Sequence, residues 1–281
     1  MMVAIGDYNE LEIAKEVDFG VYLDSDDGEI LLPAKYVPDD ARVGDRLRVF
    51  IYRDSEDRMI ATTLEPKAKV GDFAALQVKD TNQYGAFLEW GLEKDLFVPF
   101  QNQRDKMQAG RRYVIYIYLD DSSDRIVGTA KYEKYLQKEV TDLTEGQEVQ
   151  LLVAGLTDLG YKVIVNNKYL GMVYKNEVFR DLPIGEQTRG YIKKVREDQK
   201  LDVTLQRVGF GEVKDAAQII LEKLQGANGS LPLSDNSDPD TIYQMLGMSK
   251  KTFKRAIGTL YRQGQVVLHP ESISLTNQIE E

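Results

Sequence analysis

Phe19-Gly20-Val21-Tyr22-Leu23 recurs as Tyr84-Gly85-Ala86-Phe87-Leu88 and, more loosely, as Leu159-Gly160-Tyr161-Lys162-Val163, at intervals of 65 and then 75 residues. Other landmarks recur at nearly the same intervals, namely Gly6-Asp7 with Gly71-Asp72 and Gly146-Gln147, and Gly44-Asp45 with Gly110-Arg111 and Gly185-Glu186. Three copies that keep their landmarks in register indicate a tandem repeat.

Each repeat unit is predicted to form five short strands. Within residues 46–52, for example, Leu47, Val49 and Ile51 alternate with other side chains, and a period of two is typical of a strand. The glycine after the first strand suits a sharp bend, and residues 33–37 separate the third strand from the fourth. These features favour a closed barrel of the oligonucleotide-binding (OB) type, because a sandwich usually needs about seven strands.

The last quarter of the chain changes to helical spacing. The predicted elements are a helix over residues 212–224, a second over 240–246, a third over 250–263, and two wing strands at 265–268 and 272–275. Asp238 or Ser237 is the expected N-cap of the second helix, with Pro239 at its first position, and Ser249 is the expected N-cap of the third. Three helices followed by a wing are typical of a winged helix-turn-helix.

The fold class is therefore mainly β with a small α/β tail. The predicted domains are residues 1–66, 67–140 and 141–208 for barrels one to three, and 209–281 for the winged helix. Their Lys plus Arg against Asp plus Glu counts are 7 against 16, 12 against 11, 10 against 10 and 7 against 9, so the net charge of -10 lies almost entirely in barrel one. Such asymmetry indicates different roles, and we expect barrel one to be a protein-facing or spacer module.

The composition excludes much enzyme chemistry. The chain has no cysteine and a single histidine, His269, which rules out thiolate nucleophiles, cysteine zinc sites and multi-histidine metal sites. The carboxylates form no recognisable acid–base group, so we predict no enzyme, no metal and no cofactor. The N-terminus lacks a signal-peptide pattern and no apolar run approaches the roughly 18 residues of a membrane span. We expect a cytoplasmic, monomeric protein that has no membrane contacts.

Aromatic side chains flank the bend glycine, where they could stack on bases at about 1–3 kcal/mol each. The candidates are Phe19 and Tyr22 in the first unit and Tyr84 and Phe87 in the second. The third unit has Leu159 and Lys162 at these two positions, but offers Tyr161 and Tyr174 nearby. The acidity of barrel one makes its pair the weaker candidates. The alternative is that these rings are core residues, since strands favour aromatics in any case.

A second aromatic column consists of Phe50, Tyr116 and Tyr191 in the fourth strands. These rings are predicted to face away from the barrel interior. We expect them to pack one barrel against the next, because three barrels joined by short connectors must touch; base stacking is the alternative.

Cationic side chains single out barrel three and the winged helix. Barrel three offers Lys162, Lys175, Arg189, Lys193, Lys194 and Arg196. Residues 241–270 contain no Asp or Glu, and the third helix is predicted to turn outward Lys250, Lys251, Lys254 and Arg255, with Phe253, Ile257, Leu260 and Tyr261 in the core. A cationic recognition helix is a phosphate footprint, although a solvated basic face is the alternative.

The bend motif and strand order resemble the ribosomal S1-type RNA-binding domain. Three such units with a C-terminal winged helix resemble the conserved virulence factor B (CvfB-like) family of Gram-positive bacteria, over roughly residues 3–276. The resemblance implies RNA binding and an influence on gene expression, with Phe19 and Tyr22, and Tyr84 and Phe87, as stacking pairs. S1-type domains often place a histidine after the third strand, where this chain has Pro33, Pro99 and Tyr174, so Tyr174 is expected to substitute in barrel three.

Three functions follow as hypotheses. The first is a post-transcriptional regulator that binds single-stranded RNA through barrel three and the winged helix. The second is a transcription regulator that reads duplex DNA with the third helix, although one such helix on a monomer gives weak specificity. The third is a scaffold whose acidic first barrel docks a basic partner such as the translation machinery.

Overall fold

The computed structural model describes residues 3–178, 180–205 and 211–276. Three closed five-stranded barrels follow one another along the chain. Their strands are β1 (Tyr8–Val17), β2 (Gly20–Asp24), β3 (Ile30–Pro33), β4 (Arg46–Arg53) and β5 (Met59–Thr62) in barrel one; β6 (Phe73–Thr81), β7 (Gly85–Glu89), β8 (Leu96–Pro99), β9 (Arg112–Asp120) and β10 (Arg125–Thr129) in barrel two; and β11 (Glu148–Leu156), β12 (Gly160–Val165), β13 (Tyr169–Tyr174), β14 (Gln187–Val195) and β15 (Leu201–Thr204) in barrel three. The predicted mainly β fold is confirmed.

All three barrels close in the same way. The first strand pairs antiparallel with both the second and the fourth, and the third strand pairs parallel with the fifth. A register shift interrupts the first strand at one equivalent place in each barrel, between residues 13 and 15, 78 and 80, and 153 and 155. Such a bulge bends a strand sharply, which lets a single strand serve two neighbours around a narrow barrel.

The bend glycine is required because another strand comes very close. A Cβ at Gly20 would lie 2.1 Å from the carbonyl oxygen of Leu32, and one at Gly160 would lie 2.2 Å from that of Val173. Gly85 has the same relation in barrel two, at 2.3 Å from the corresponding oxygen of β8. The repeated motif therefore marks the crossing of the second and third strands, where only a residue without a side chain fits.

Barrels one and two share an aromatic joint. Phe50 is fully buried and packs edge-on against Trp90 of barrel two, with ring centroids 5.9 Å apart. Lys69 of barrel two binds the carboxylate of Asp7 at 2.7 Å, and Arg125 binds that of Asp57. The prediction that Phe50 packs between barrels is confirmed.

Barrels two and three share a second joint. Tyr116 stacks on Tyr135 of the connecting segment with ring centroids 4.1 Å apart, and the surrounding cluster includes Leu152 and Ile164 of barrel three. The packing role predicted for Tyr116 is therefore also confirmed. Tyr191 belongs to neither of these two clusters. Its hydroxyl donates to the carboxylate of Glu148 in its own barrel, at 3.4 Å.

The C-terminal domain is a winged helix. Its elements are α1 (Gly211–Gly226), β16 (Ser230–Leu231), α2 (Pro239–Leu246), α3 (Lys250–Arg262), β17 (Val266–Leu268) and β18 (Ile273–Leu275). Asp238 caps α2 by accepting from the Asp240 amide at 2.9 Å, and Ser249 caps α3 by accepting from the Thr252 amide at 3.1 Å. Both predicted caps are confirmed, because Ser and Asp oxygens satisfy amides that the helix itself leaves unbonded.

Two details of this domain differ from the prediction. The wing sheet has three strands in the order β16, β18, β17, because the short β16 pairs with β18. Tyr261 is 55% exposed and does not lie in the core. The buried stripe of α3 runs through Phe253, Ile257 and Leu260, and at 100° per residue Tyr261 falls beyond its edge. Among the helices of the described residues, none combines the length and the hydrophobicity that a membrane span requires.

Candidate nucleic-acid interface

One row of side chains runs in direct register across four strands of each barrel, on the face turned away from the barrel interior. The row reads Tyr22, Leu31, Ile60 and Tyr52 in barrel one; Phe87, Phe97, Val127 and Tyr118 in barrel two; and Lys162, Met172, Asp202 and Lys194 in barrel three. We call these the outer rows. The first and last positions of the row thus carry rings in the first two barrels and lysines in the third.

The outer row of barrel three combines cations with an oriented ring. Lys162 and Lys194 are exposed and form no ion pair with any residue that the structure describes. The Tyr174 hydroxyl donates to the Asp202 carboxylate at 3.0 Å. This hydrogen bond, followed by desolvation, raises the pKa of Tyr174 above its usual range. The ring is therefore held neutral and in one place beside the two lysines.

Most of the other candidate cations in barrel three already have a carboxylate partner. Arg189 lies 3.3 Å from Glu148 and Arg196 lies 3.4 Å from Asp198, while Lys193 is bound by Glu177. Lys175 is exposed in the turn after β13. The candidates therefore divide into cations that already have a carboxylate partner and cations that do not.

Tyr161 is brought to a different face from Lys162. Its ring is half-buried and packs against the core of barrel three, because successive side chains of a strand point to opposite faces. The packing favours the core alternative for Tyr161, and Tyr174 is the ring that lies in the outer face of this barrel, bonded to Asp202.

Barrel two presents an aromatic surface. Tyr84 is 66% exposed, and the rings of Phe87 and Phe97 lie 5.2 Å apart. Sequence reasoning missed Phe97 as a site residue. The repeat could have identified it, because Phe97 occupies the position of Leu31 and Met172. Phe97 of β8 is the direct pairing partner of Phe87 of β7.

Barrel one also holds its predicted pair at the surface. Phe19 is 57% exposed and packs edge-on against Tyr22 at 6.3 Å. Lys15 lies over the Tyr22 ring at 4.8 Å and also pairs with Glu29 at 2.5 Å. This lysine is thus already neutralised by a carboxylate, which fits the weaker candidacy of this pair.

The outward face of α3 is cationic, as predicted. Lys250, Lys251 and Arg255 form no ion pair within the described residues, whereas Lys254 lies 3.8 Å from Asp235. Tyr261 belongs to this face too and was missed, because the helix prediction placed it one position too far into the apolar stripe. In the described part of the chain, no three His, Cys, Asp or Glu side chains are grouped to hold a metal ion.

Comparison with known proteins agrees with this architecture. Residues 5–64 match the family model of the S1 domain, and residues 218–275 match that of the CvfB-like winged helix domain. A Bacillus subtilis protein named "Uncharacterized protein YitL" is 27% identical over 91% of this chain and 88% of its own length. "Conserved virulence factor B" of Staphylococcus epidermidis is 24% identical over 85% of this chain and 83% of its own length.

A solved structure from Streptococcus pneumoniae, described as a multidomain protein with nucleic acid binding domains, is 24% identical, with a TM-score of 0.46 and coverage of 96% of this chain and 98% of that one. The names of these relatives state no enzymatic activity. The chain thus contains an S1 domain and a CvfB-like winged helix domain, and over most of its length it is similar to proteins named conserved virulence factor B and YitL.

Proposed function

We propose that this protein binds single-stranded RNA through barrel three and the winged helix, and acts in the cytoplasm as a post-transcriptional regulator. One observation carries the proposal: Lys162 and Lys194 stand unpaired in a single outer row, beside the oriented ring of Tyr174. Cations spaced along a surface can track phosphates, and a ring beside them can stack on a base.

The row suits a single strand better than a duplex. Bases in a single strand are exposed for stacking, whereas bases in a duplex are already stacked on each other. Met172, between Lys162 and Asp202, adds an apolar contact at the middle of the row. The carboxylate of Asp202 keeps its charge when Tyr174 donates to it, but Lys162 and Lys194 leave the row positive by one.

The winged helix extends the cationic surface. Lys250, Lys251 and Arg255 stand at the N-terminal half of α3, which is the part that recognition helices present to nucleic acid. Arg180 of barrel three and Tyr243 of the winged helix are close enough to interact electrostatically. We infer from this proximity that one strand can contact both domains.

The test is binding of a fluorescent single-stranded RNA to the full chain, measured by anisotropy over a series of salt concentrations. The variant Lys162→Glu with Lys194→Glu should bind much more weakly, and its salt slope should fall by about 1.4, since each lost phosphate contact removes about 0.7. The matched control is Lys131→Glu with Lys138→Glu, because these two exposed lysines lie between barrels two and three and give the same charge change.

Equal affinity of the two double variants would contradict the assigned surface. Competition with duplex DNA separates the second hypothesis, because a transcription regulator of the winged-helix type would prefer the duplex. Absence of binding to either nucleic acid, together with nuclease-resistant capture of a basic protein, would support the scaffold.

A further inference from the structure

The outer row of barrel three contains a carboxylate at a position where the other two barrels have an aliphatic side chain. Asp202 of β15 occupies this position, and its counterparts are Ile60 in barrel one and Val127 in barrel two. In the strand register it lies between Met172 of β13 and Lys194 of β14. A negative charge repels the phosphates that the lysines of the same row would bind, so the carboxylate requires a separate explanation.

One oxygen of this carboxylate is held in place, and the other is available. The hydroxyl of Tyr174 donates to Oδ1 at 3.0 Å. Within the part of the chain that the structure describes, Oδ2 accepts no hydrogen bond and Asp202 forms no ion pair, although Lys194 is its direct partner on the next strand. Since a carboxylate has about four sites that accept hydrogen bonds, both oxygens can still accept from a ligand.

The carboxylate lies at the edge of the Tyr174 ring. Its hydrogen bond to the Tyr174 hydroxyl places it at the outer end of the phenol, while Lys162 and Lys194 stand on the flanking strands β12 and β14. A base that stacks on this ring has one of its edges near Asp202 and its phosphates near the lysines. Proteins read the bases of single-stranded RNA by hydrogen bonds to such edges, above all the Watson–Crick edge.

The four bases differ in what their Watson–Crick edges present to two carboxylate oxygens. Guanine has two adjacent donors, the N1–H and the 2-amino group, and these match the two oxygens. Adenine and cytosine place one amino group beside a ring nitrogen that accepts, and uracil places a single N–H between two carbonyl oxygens. In those three bases an acceptor would face an anionic oxygen, which is unfavourable because neither atom can donate. A carboxylate at this position therefore favours guanine.

We propose that Asp202 is a specificity-determining residue that selects guanine in the RNA bound by barrel three, and that Tyr174 holds its carboxylate in position. The inference rests on the proposed function, because it names the base that the same outer row reads. It also separates the roles of the charges in this row. The two lysines bind phosphates of any sequence, whereas Asp202 distinguishes one base from the others.

The test is competition of unlabelled RNA dodecamers with a labelled one for the full-length protein, measured by anisotropy. A dodecamer spans the roughly 4–16 nucleotides that one OB barrel covers. Each dodecamer consists of uridine except at one central position, which is guanosine, inosine, adenosine or uridine. The guanosine dodecamer should bind at least about fivefold more tightly than the uridine dodecamer, the lower end of what a bidentate contact to a base contributes. Inosine lacks the 2-amino group and should fall between them.

Two variants test the carboxylate and its support. Asp202→Asn replaces one acceptor by a donor, and it should bring the ratio of guanosine to uridine affinity close to one. Because this variant also removes a negative charge, the ratio and not the affinity is the readout. Tyr174→Phe keeps the ring but removes the hydroxyl that donates to Asp202, so it should lower the ratio while binding is retained.

Asp181→Asn is the matched control for the loss of charge. Asp181 is exposed in the segment between β13 and β14 and forms no ion pair among the residues that the structure describes. This variant gives the same charge change in the same barrel as Asp202→Asn. It should keep the wild-type ratio of guanosine to uridine affinity.

Failure of this inference is distinguishable from failure of the proposed function. Equal binding of all four dodecamers by the wild type would overturn the role of Asp202 and leave single-stranded RNA binding intact. A guanosine preference that Asp202→Asn retains would do the same. If the wild type binds none of the dodecamers, the proposed function and this inference are both contradicted.

Discussion

At the scale of single residues, the same barrel position serves different purposes in the three copies. The first position of the outer row is Tyr22, Phe87 or Lys162, while the neighbouring bend glycine is kept in every copy. All three barrels require this glycine because the third strand comes very close to it. The outer-row side chain points away from the barrel interior, so the core does not restrict it. The repeat therefore identifies residues that the backbone requires by their constancy, while the outer-row positions are free to differ between copies.

This distinction predicts the effect of two alanine substitutions in barrel three. Gly160→Ala should lower the free energy of unfolding of this barrel by about 1–3 kcal/mol, the usual cost of overpacking, because its Cβ would clash with the oxygen of Val173. Gly155→Ala, where a Cβ would meet nothing within 4 Å, should be nearly neutral. Denaturant titration with each variant measures the difference, and equal midpoints would refute the close-approach argument.

At the scale of elements, α3 is positioned by its N-cap and by its apolar stripe. The Ser249 cap begins the helix at Lys250, so that Lys250, Lys251 and Arg255 share the outward face while Phe253 and Leu260 are buried. The cationic face therefore depends on a correctly started helix.

Loss of this cap should loosen α3. Ser249→Ala removes the acceptor of the Thr252 amide and should cost about 1 kcal/mol, which is roughly a fivefold faster exchange of the α3 amides if they exchange by opening of this helix. Ser249→Asp supplies another cap and should restore most of the protection, as measured by hydrogen–deuterium exchange. Equal exchange in the Ala and Asp variants would show that capping is not the cause.

At the scale of the whole molecule, the barrels are held by joints of aromatic packing and ion pairs. The joint between barrels one and two contains the pair of Asp57 and Arg125. The Arg125 guanidinium, which donates to this carboxylate, holds the pKa of Asp57 below its usual range, although desolvation opposes the shift. Acid should therefore weaken the joint.

The direction of the pH effect on stability follows from the lowered pKa of Asp57. A carboxyl whose pKa is lower in the folded state stabilises the fold above about pH 3.9, the unfolded value, and the contribution is lost as the pH falls through the folded pKa. The difference in Tm between the wild type and Asp57→Asn should therefore narrow on going from about pH 6 to about pH 3. Asp121→Asn, at an aspartate with no ion pair among the described residues, should show no such narrowing. A Tm difference between the wild type and Asp57→Asn that widens in acid would contradict a stabilising role of the Asp57–Arg125 pair.

Much of the fold could be predicted because its determinants are local. The strand alternation, the bend glycines and the caps at Asp238 and Ser249 act within a few residues of themselves. In the barrels, the strand alternation and the bend glycine each occur three times, which made them easier to recognise. Tyr261 was misplaced because one helical position separates its exposed face from the buried stripe, which is a finer distinction than periodicity resolves.

The three barrels, the winged helix and the cationic character of barrel three and α3 could all be inferred from the order of the amino acids, because periodicity, turn chemistry and charge are readable along the chain. Three properties emerged from the folded molecule alone: which cations already have carboxylate partners, the inward packing of Tyr161, and the wall that barrel one forms opposite Phe87 and Phe97. These properties depend on residues that are far apart in the chain and that strand pairing and barrel packing bring together. A local sequence pattern does not indicate which distant residues will meet.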